Sequence, residues 1–235
     1  MSEEREAGRP PALSIIIPTL NEAHSIAATL DAVQKIQGAF ELIVVDGGSS
    51  DHTLSILHGR GVRVINAERG RGQQLHAGAC AARGEVFLFL HADTIPPVET
   101  AERISEALSD AKTVGGNFSV RFDGESRAAR FLTWLYPQLR KLGLRYGDSG
   151  IFARREAYVR AGGFKAFPIF EDLDLVRGLK RIGRMAHLHA TVITSSRRFE
   201  GRSFALTFAR WSFLQTLYWL GVHPRRLARM YERQG

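Results

Sequence analysis

A single cysteine, Cys80, stands among 235 residues. No internal disulfide framework can form, and a reducing compartment is compatible with the chain. Its setting in "HAGACAARG", among alanines at helical spacing, predicts a small core filler and not a nucleophile. No stretch of 18 residues is free of charge, which leaves no clear membrane span. The N-terminal "MSEEREAGRPPA" is charged and then proline-rich. It reads as a flexible tail over residues 1–11 and not as a signal peptide. Two phosphate-binding fingerprints are also missing. "GRG" at 70–72 would need a third glycine at 75, where Leu75 stands, and the first strand–helix turn, "PTLNEAHS", has no glycine. No G-x-x-x-x-G-K-[ST] occurs, which argues against a P-loop NTPase. Internal repeats and low-complexity segments are absent too.

What is present suits one sizeable α/β core: 44% hydrophobic and 24% charged residues. The net charge is +8, with arginines crowding residues 121–160 and 177–233 while the first hundred residues are nearly balanced. A basic balance fits nucleic acid, an anionic membrane surface or a phosphorylated ligand. Nucleic acid would need basic residues interleaved with stacking aromatics on one face. It would also leave the acidic cluster of "FPIFEDLDLVRG" (167–178) unexplained, so no nucleic-acid partner is expected.

Hydrophobic periodicity gives the order of elements. "ALSIIIP" (12–18) predicts a strand, and Ile26, Leu30 and Val33 predict a helix from about Glu22. "ELIVVD" (41–46), "VRVINA" and "EVFLFLHAD" (85–93) predict three further strands. They are separated by the helix "HTLSILHG", capped by Asp51 or a preceding serine, and by the small-residue helix "RGQQLHAGACAA". A helix follows from about Val98. This alternation means a mostly parallel sheet with helices on both faces. Beyond residue 114 the pattern loosens. "TVGGNFSVRF", "GDSGIFARRE" and residues near 185–193 read as strands, "RAARFLTWLYPQLRKL" as an amphipathic helix, and the last thirty residues as two helical stretches.

Open α/β sheets bind ligands at the carboxyl ends of their strands. Here those ends carry "PTLNE" (18–22), "DGGSSD" (46–51), "ERGRGQQ" (68–74) and "HAD" (91–93). Four polar or glycine-bearing loops on one rim predict a ligand cleft. With no P-loop to neutralise phosphate, a divalent metal is the expected substitute, since Mg²⁺ and Mn²⁺ typically bridge one or two carboxylates to phosphate oxygens. "HAD" offers Asp93, with His91 two residues away on the same side of an extended chain.

"LSIIIPTLNE", "ELIVVDGGSSDHT", "FLHADT" and "FEDLDLVRGLKRIGR", in that order, resemble a family 2 glycosyltransferase of the GT-A fold, over about residues 12–200. The similarity is greatest to a bacterial subgroup with few assigned substrates. The resemblance implies an α/β domain at 12–202, with a nucleotide-sugar half (12–120) and an acceptor half (121–202), followed by C-terminal helices at 203–235. It implies a UDP- or GDP-linked sugar donor and Mn²⁺ or Mg²⁺. Pro18, Thr19, Asn21 and Glu22 would line the nucleotide pocket, and Asp46 would hydrogen-bond the base. Arg69 and Gly72 would sit near the nucleoside or sugar. Asp51 would cap its helix or reach the pocket. "HAD" occupies the place of the family's D-x-D, with Ala92 in the donor site and Asp93 as metal carboxylate. His91 departs from the pattern; it either ligates the metal or lines the pocket.

The acidic cluster then gains a role. Asp172 would be the general base for an inverting transfer, with Glu171 in support. A carboxylate half-buried by Phe167, Phe170 and Leu173 has a raised pKa, as a base at neutral pH requires. Asp174 fits a first helical turn favoured by the macrodipole. Asp148, between glycines in "YGDSGIF", would face the acceptor, and Arg197 and Arg198 would close over the diphosphate. His187 and His189 alternate with apolar residues on one strand face and read as structural histidines. A nucleotidyltransferase of similar fold is the competing enzyme, disfavoured by the glycine-free first turn; a basic membrane or nucleic-acid binding module is the non-enzymatic alternative.

Residues 204–234 are apolar nearly all round, with Trp211, Trp219 and a tail of arginines. Such a helix must be covered. It packs on the catalytic domain or across a homodimer, or it lies at an anionic membrane surface, which would fit a lipid-linked acceptor. The expected location is cytoplasmic, or peripheral at the inner face of the cell membrane.

Overall fold

The computed structural model describes residues 12–141, 145–197 and 204–232. The predicted tail at 1–11, Arg198 and Arg233 lie outside the described residues.

Strand β1 (Leu13–Thr19) is the axis of the fold. Ile15, Ile16 and Ile17 are all fully buried. A run apolar at every position, not at alternate ones, belongs to a strand covered on both faces. Ile15 and Ile17 join one core cluster and Ile16 the other. Strand β2 (Phe40–Asp46) pairs parallel with β1, and β3 (Arg63–Asn66) parallel with β2. Strand β4 (Val86–Phe89) pairs parallel with the other side of β1.

Helices α1 (Ile26–Val33) and α2 (Thr53–Gly59) cover one face, together with α4 (Thr100–Leu108) and α5 (Arg127–Lys141). Helices α3 (Arg71–Ala81), α6 (Arg155–Arg160) and α7 (Glu171–Ile182) cover the other. The small residues of α3 let it approach closely: a Cβ on Gly78 would stand 2.4 Å from Ile16 Cγ2 and 2.9 Å from Val45 Cγ2. Cys80 is on the outer side of this helix and exposed, against the expectation of a core filler. The reason is phase. Leu75, Gly78 and Ala79 take the buried stripe, and Cys80 falls beyond it beside His76.

The second half completes the sheet with β5 (Thr94–Ile95), β6 (Thr113–Phe122), β7 (Ile151–Arg154) and β8 (Arg184–Thr194). The spatial order is β3-β2-β1-β4-β7-β6-β8-β5. Strand β7 runs antiparallel to both β4 and β6, while β6 and β8 are parallel and β5 is antiparallel to β8. The sheet is α/β and mostly parallel, as expected, with a reversal at its middle. That reversal brings the entry of β7, "GDSG", to the same rim as the carboxyl ends of β1 and β4.

Two expected boundaries move. Helix α1 starts at Ile26 and not near Glu22, because Asn21 adopts a left-handed φ of 56° and residues 22–25 form a turn. Strand β4 ends at Phe89, so "HAD" is no longer extended: a bond from the Thr94 N–H to the His91 carbonyl closes a turn there. Asp51 does act at the start of α2. Its Oδ1 accepts from the Thr53 N–H at 2.9 Å, while its Oδ2 accepts from the Ala23 N–H at 3.1 Å.

The last two helices are α8 (Phe204–Trp219) and α9 (Pro224–Glu232). Leu214, Tyr218, Leu227 and Ala228 form a third apolar cluster with Ile169, Phe170 and Leu173. One face of α8 is thus covered by the start of α7. Leu206, Phe213, Trp219 and Leu220 remain exposed. No helix among the described residues is long and apolar enough to cross a membrane.

Candidate active site

The first two rim loops are zipped together by their own side chains. Asp46 is buried, and both its oxygens are engaged. Oδ2 accepts from the Gly48 and Ser49 N–H groups, each at 2.8 Å; Oδ1 accepts from Ser49 Oγ at 2.5 Å and Thr19 Oγ1 at 3.3 Å. A carboxylate has about four acceptor positions, and this loop fills three of them. Asp46 thereby shapes the rim of this loop. Asn21 receives the Ser50 N–H and gives its own N–H to Ser49 Oγ. Gln74, a residue that no sequence signal singles out, donates from Nε2 to the carbonyls of Thr19 and Val45, both at 2.8 Å, and ties the ends of β1 and β2. Pro18 is half-buried at the end of β1, and Arg69 is exposed.

Gly72 faces protein. A Cβ there would lie 2.3 Å from the Lys165 carbonyl oxygen and 3.3 Å from Glu171 Cβ. The contact sets the distance between α3 and α7. Gly72→Ala is expected to lower stability by about 1–3 kcal/mol, because the backbone oxygen cannot swing aside, and this outweighs the better helix propensity of alanine. Denaturant unfolding checks it; unchanged or raised stability would remove the packing role.

The "HAD" turn is held from both sides. Thr29, fully buried in α1, donates to the Ala92 carbonyl at 2.8 Å. The Thr94 and Thr194 hydroxyls meet at 3.0 Å where β5 pairs with β8. His91 and Asp93 are thereby presented on the rim beside Ser195.

Opposite them starts α7. Phe170, the residue before it, has a left-handed φ of 62°. That conformation is uncommon for a bulky residue and is retained because the ring is wedged against Tyr218 (centroids 5.0 Å) and Trp211 (6.0 Å). The turn aims the first helical residues at the rim. Glu171 is buried, its Oε1 paired with Arg71 Nε and its Oε2 left without a hydrogen-bond partner. Arg71, not identified from the sequence, is held firmly protonated by Glu171 and Asp172. Asp174 pairs with Lys165 at 2.8 Å.

Asp172 is half-buried. Its Oδ2 accepts from the Gly147 N–H and its Oδ1 from the Leu173 N–H, each at 2.7 Å. Burial first, and the neighbouring Glu171 second, push its carboxyl up to about 7, against the pull of Arg71 and the Gly147 N–H. Gly147 joins the two sides of the site: a Cβ there would stand 2.8 Å from His91 Nε2 and 3.4 Å from Asp172 Oδ2.

These groups share one cavity of about 360 Å³. His91, Asp93, Asp148, Asp172 and Arg71 are among its lining. Asp148 accepts from the Tyr136 hydroxyl at 2.6 Å, and the Tyr146 hydroxyl donates to Gln215 Oε1 at 2.8 Å. Burial raises the Tyr146 phenol to about 12, so it stays protonated. Arg197 stands at the rim and pairs with Glu22 Oε2 at 3.2 Å, linking the first loop to the segment after β8. His187 and His189 do not line the cavity. Their rings pack 5.4 Å apart on β8, and His187 Nε2 meets Ser119 Oγ at 3.1 Å. Burial and Arg140 depress His187 to about 4, which keeps it neutral.

Comparisons with known proteins bear on the family and the fold. The model of "Glycosyl transferase family 2" matches residues 14–166, more than half of the chain. A PGL/p-HBAD biosynthesis glycosyltransferase of Mycobacterium tuberculosis is 37% identical over 109 residues, 43% of each chain. A glucosyl-3-phosphoglycerate synthase of the same species is 31% identical over 106 residues, 40% of this chain and 32% of that protein. The chain thus spans less than half the length of these relatives. Among solved structures, S. aureus TarS superposes with a TM-score of 0.63 at 19% identity, covering 78% of this chain and 60% of that one. The M. tuberculosis glucosyl-3-phosphoglycerate synthase with Mn²⁺ and UDP-glucose gives 0.58 at 24%, covering 80% and 72%. At such identities the likeness concerns the fold, which is GT-A.

Proposed function

The chain belongs to glycosyl transferase family 2, and from that premise we propose that it moves a sugar, with inversion, from a UDP-linked donor to an acceptor hydroxyl, with Asp172 as general base. The family decides against the nucleotidyltransferase and the non-enzymatic binding module. What carries the finer reading is the Asp172 carboxylate, with its raised pKa, in the same cavity as Asp93 and His91. The structural relatives bind UDP-glucose with Mn²⁺ in one case and UDP-GlcNAc in another, which supports a UDP-sugar donor.

The residues derive the chemistry. The acceptor O–H donates its proton to Asp172. The oxygen attacks the anomeric carbon from the face opposite the diphosphate, and the bond to the diphosphate breaks with its electron pair leaving on the nucleotide. One displacement inverts the anomeric centre. The two backbone N–H groups on Asp172 fix the carboxylate's orientation, and Glu171, held by Arg71, keeps its proton affinity high. Asp148 and its Tyr136 partner orient the acceptor. Asp93 and His91 would hold Mn²⁺ or Mg²⁺, which neutralises diphosphate charge when bound. Among the described residues no group of three or more His, Cys, Asp or Glu side chains converges for a metal. Two protein ligands with phosphate oxygens and water still make a fitting donor set.

Thermal-shift measurements with UDP-, GDP- and dTDP-sugars, with and without Mn²⁺, test the donor. Stabilisation by UDP-sugars with Mn²⁺ is expected; preference for another base would overturn that part. The pH profile tests the base. The unprotonated carboxylate is the active form, so kcat/KM should rise with pH and level off above about 7. Glu171→Gln removes a negative neighbour, lowers the Asp172 pKa and should move that limb to lower pH. A limb that ignores the substitution would separate Glu171 from the base.

A further inference from the structure

Beside its carboxylates the cavity has a largely apolar wall: Leu132, Leu135 and Leu139 of α5, and Phe208, Trp211 and Trp219 of α8, the last three interspersed with Ser212, Gln215 and Thr216. The residues expected to line the nucleotide pocket, Thr19, Asn21, Glu22 and Asp46, are on the β1 and β2 loops and do not line this cavity. The apolar wall of α5 and α8 is therefore assigned to the acceptor.

We propose that the acceptor is amphiphilic: its reacting hydroxyl sits at Asp172, and an apolar alkyl, prenyl or aryl body extends between α5 and α8. This rests on the reading of Asp172 as the base and names the substrate class of that same site. Three observations support it. The leucines recur at 132, 135 and 139, the spacing that puts them on one face of α5, and that face borders the cavity. Helix α8 is apolar on three sides with different surroundings. Leu214 and Tyr218 meet the cluster around Phe170; Phe208, Trp211 and Trp219 line the cavity, with Ser212, Gln215 and Thr216 between them; Leu206 and Phe213 are exposed. A helix that only packed on the domain would need one apolar stripe. Finally, the wall continues outward: Phe131 packs on Phe204 and Phe208, and Trp134 and Trp219 are 61% and 53% exposed at its edge. A fully hydroxylated sugar acceptor would lose hydrogen bonds to water against the three leucines of α5. An apolar body gains by leaving water there, and the volume is that of an ordinary ligand pocket.

The chain has three tryptophans, Trp134, Trp211 and Trp219, and all are on α5 or α8 beside this wall. Intrinsic fluorescence therefore reports the site without a label. The probes are butanol, hexanol and octanol, then 4-butylphenol and farnesol, titrated into the full chain. Affinity should rise roughly three- to fourfold per added methylene, with one tightest class among alkyl, aryl and prenyl. A nitroxide-tagged octanol should quench the emission, and untagged octanol should relieve the quenching. Leu135→Asn and Leu139→Asn should each weaken octanol binding at least tenfold while leaving the UDP thermal shift unaltered. No dependence on chain length, no site-specific quenching, or equal affinity in folded variants would overturn the proposal. Because the readout is binding, it fails independently of the transfer reaction. Loss of transfer in Asp172→Asn with no binding of apolar alcohols would leave the base in place and remove only the amphiphilic acceptor.

Discussion

Asp172→Asn is expected to lower transfer by about two to four orders of magnitude, the usual range for losing general-base help, with donor affinity close to wild type. Asparagine keeps the shape and removes the proton acceptor. It also alters two hydrogen bonds: the Gly147 and Leu173 N–H groups each meet a carboxylate oxygen, and the amide can accept from only one. That local cost is separable from the chemical one by its pH dependence. In the wild type the Asp172 pKa is higher folded than unfolded, so its ionisation takes stability away as pH rises from about 4 through about 7. Asparagine lacks that loss. The Tm of the variant relative to wild type should therefore become more favourable with rising pH, while its transfer rate stays low throughout. Single-turnover transfer and thermal unfolding at several pH values measure both. A variant that keeps most of its rate would place the base elsewhere, with Glu171 the next candidate.

Asp93→Ala should abolish the Mn²⁺-stimulated part of UDP-sugar binding with the fold intact. The chain has no P-loop, and Arg197 at the rim is already paired with Glu22, so diphosphate charge calls for a cation at the "HAD" turn. Asp93 supplies the carboxylate there, and the turn itself is held by Thr29 and Thr94. Calorimetric titration of UDP-sugar with Mn²⁺ and with EDTA gives the readout. His91→Ala in the same assay separates a ligand, which would weaken Mn²⁺ affinity, from a pocket wall, which would not. Equal wild-type affinity with EDTA and with Mn²⁺ would count decisively against a metal bridge.

The elements were legible because burial imposes simple periods. The isoleucines of β1 fill consecutive positions, and a strand covered on both faces needs that; Ile26, Leu30 and Val33 follow the helical turn because α1 is covered on one. The rim was legible as well, since a parallel sheet sends its loops to one edge. Helix phase was less so: Cys80 looked like a small apolar neighbour of Ala79 and proved to be one step outside the buried stripe.

Sequence alone determined the fold class, the family and the presence of carboxylates at the strand ends, because these depend on local pattern. Only the tertiary structure decided what each polar group meets. Asp46 is held by three donors of its own loop and by Thr19 of β1. Arg71 emerged as the partner of Glu171, a hundred positions apart in the chain. "GDSG" came to the rim because β7 runs against β4 and β6, a reversal that no local period encodes. The cavity itself exists because α8 folds back over Phe170 and leaves room beside α5. Hydrogen bonds and desolvation depend on which atoms arrive within a few ångströms, and chain order does not specify that.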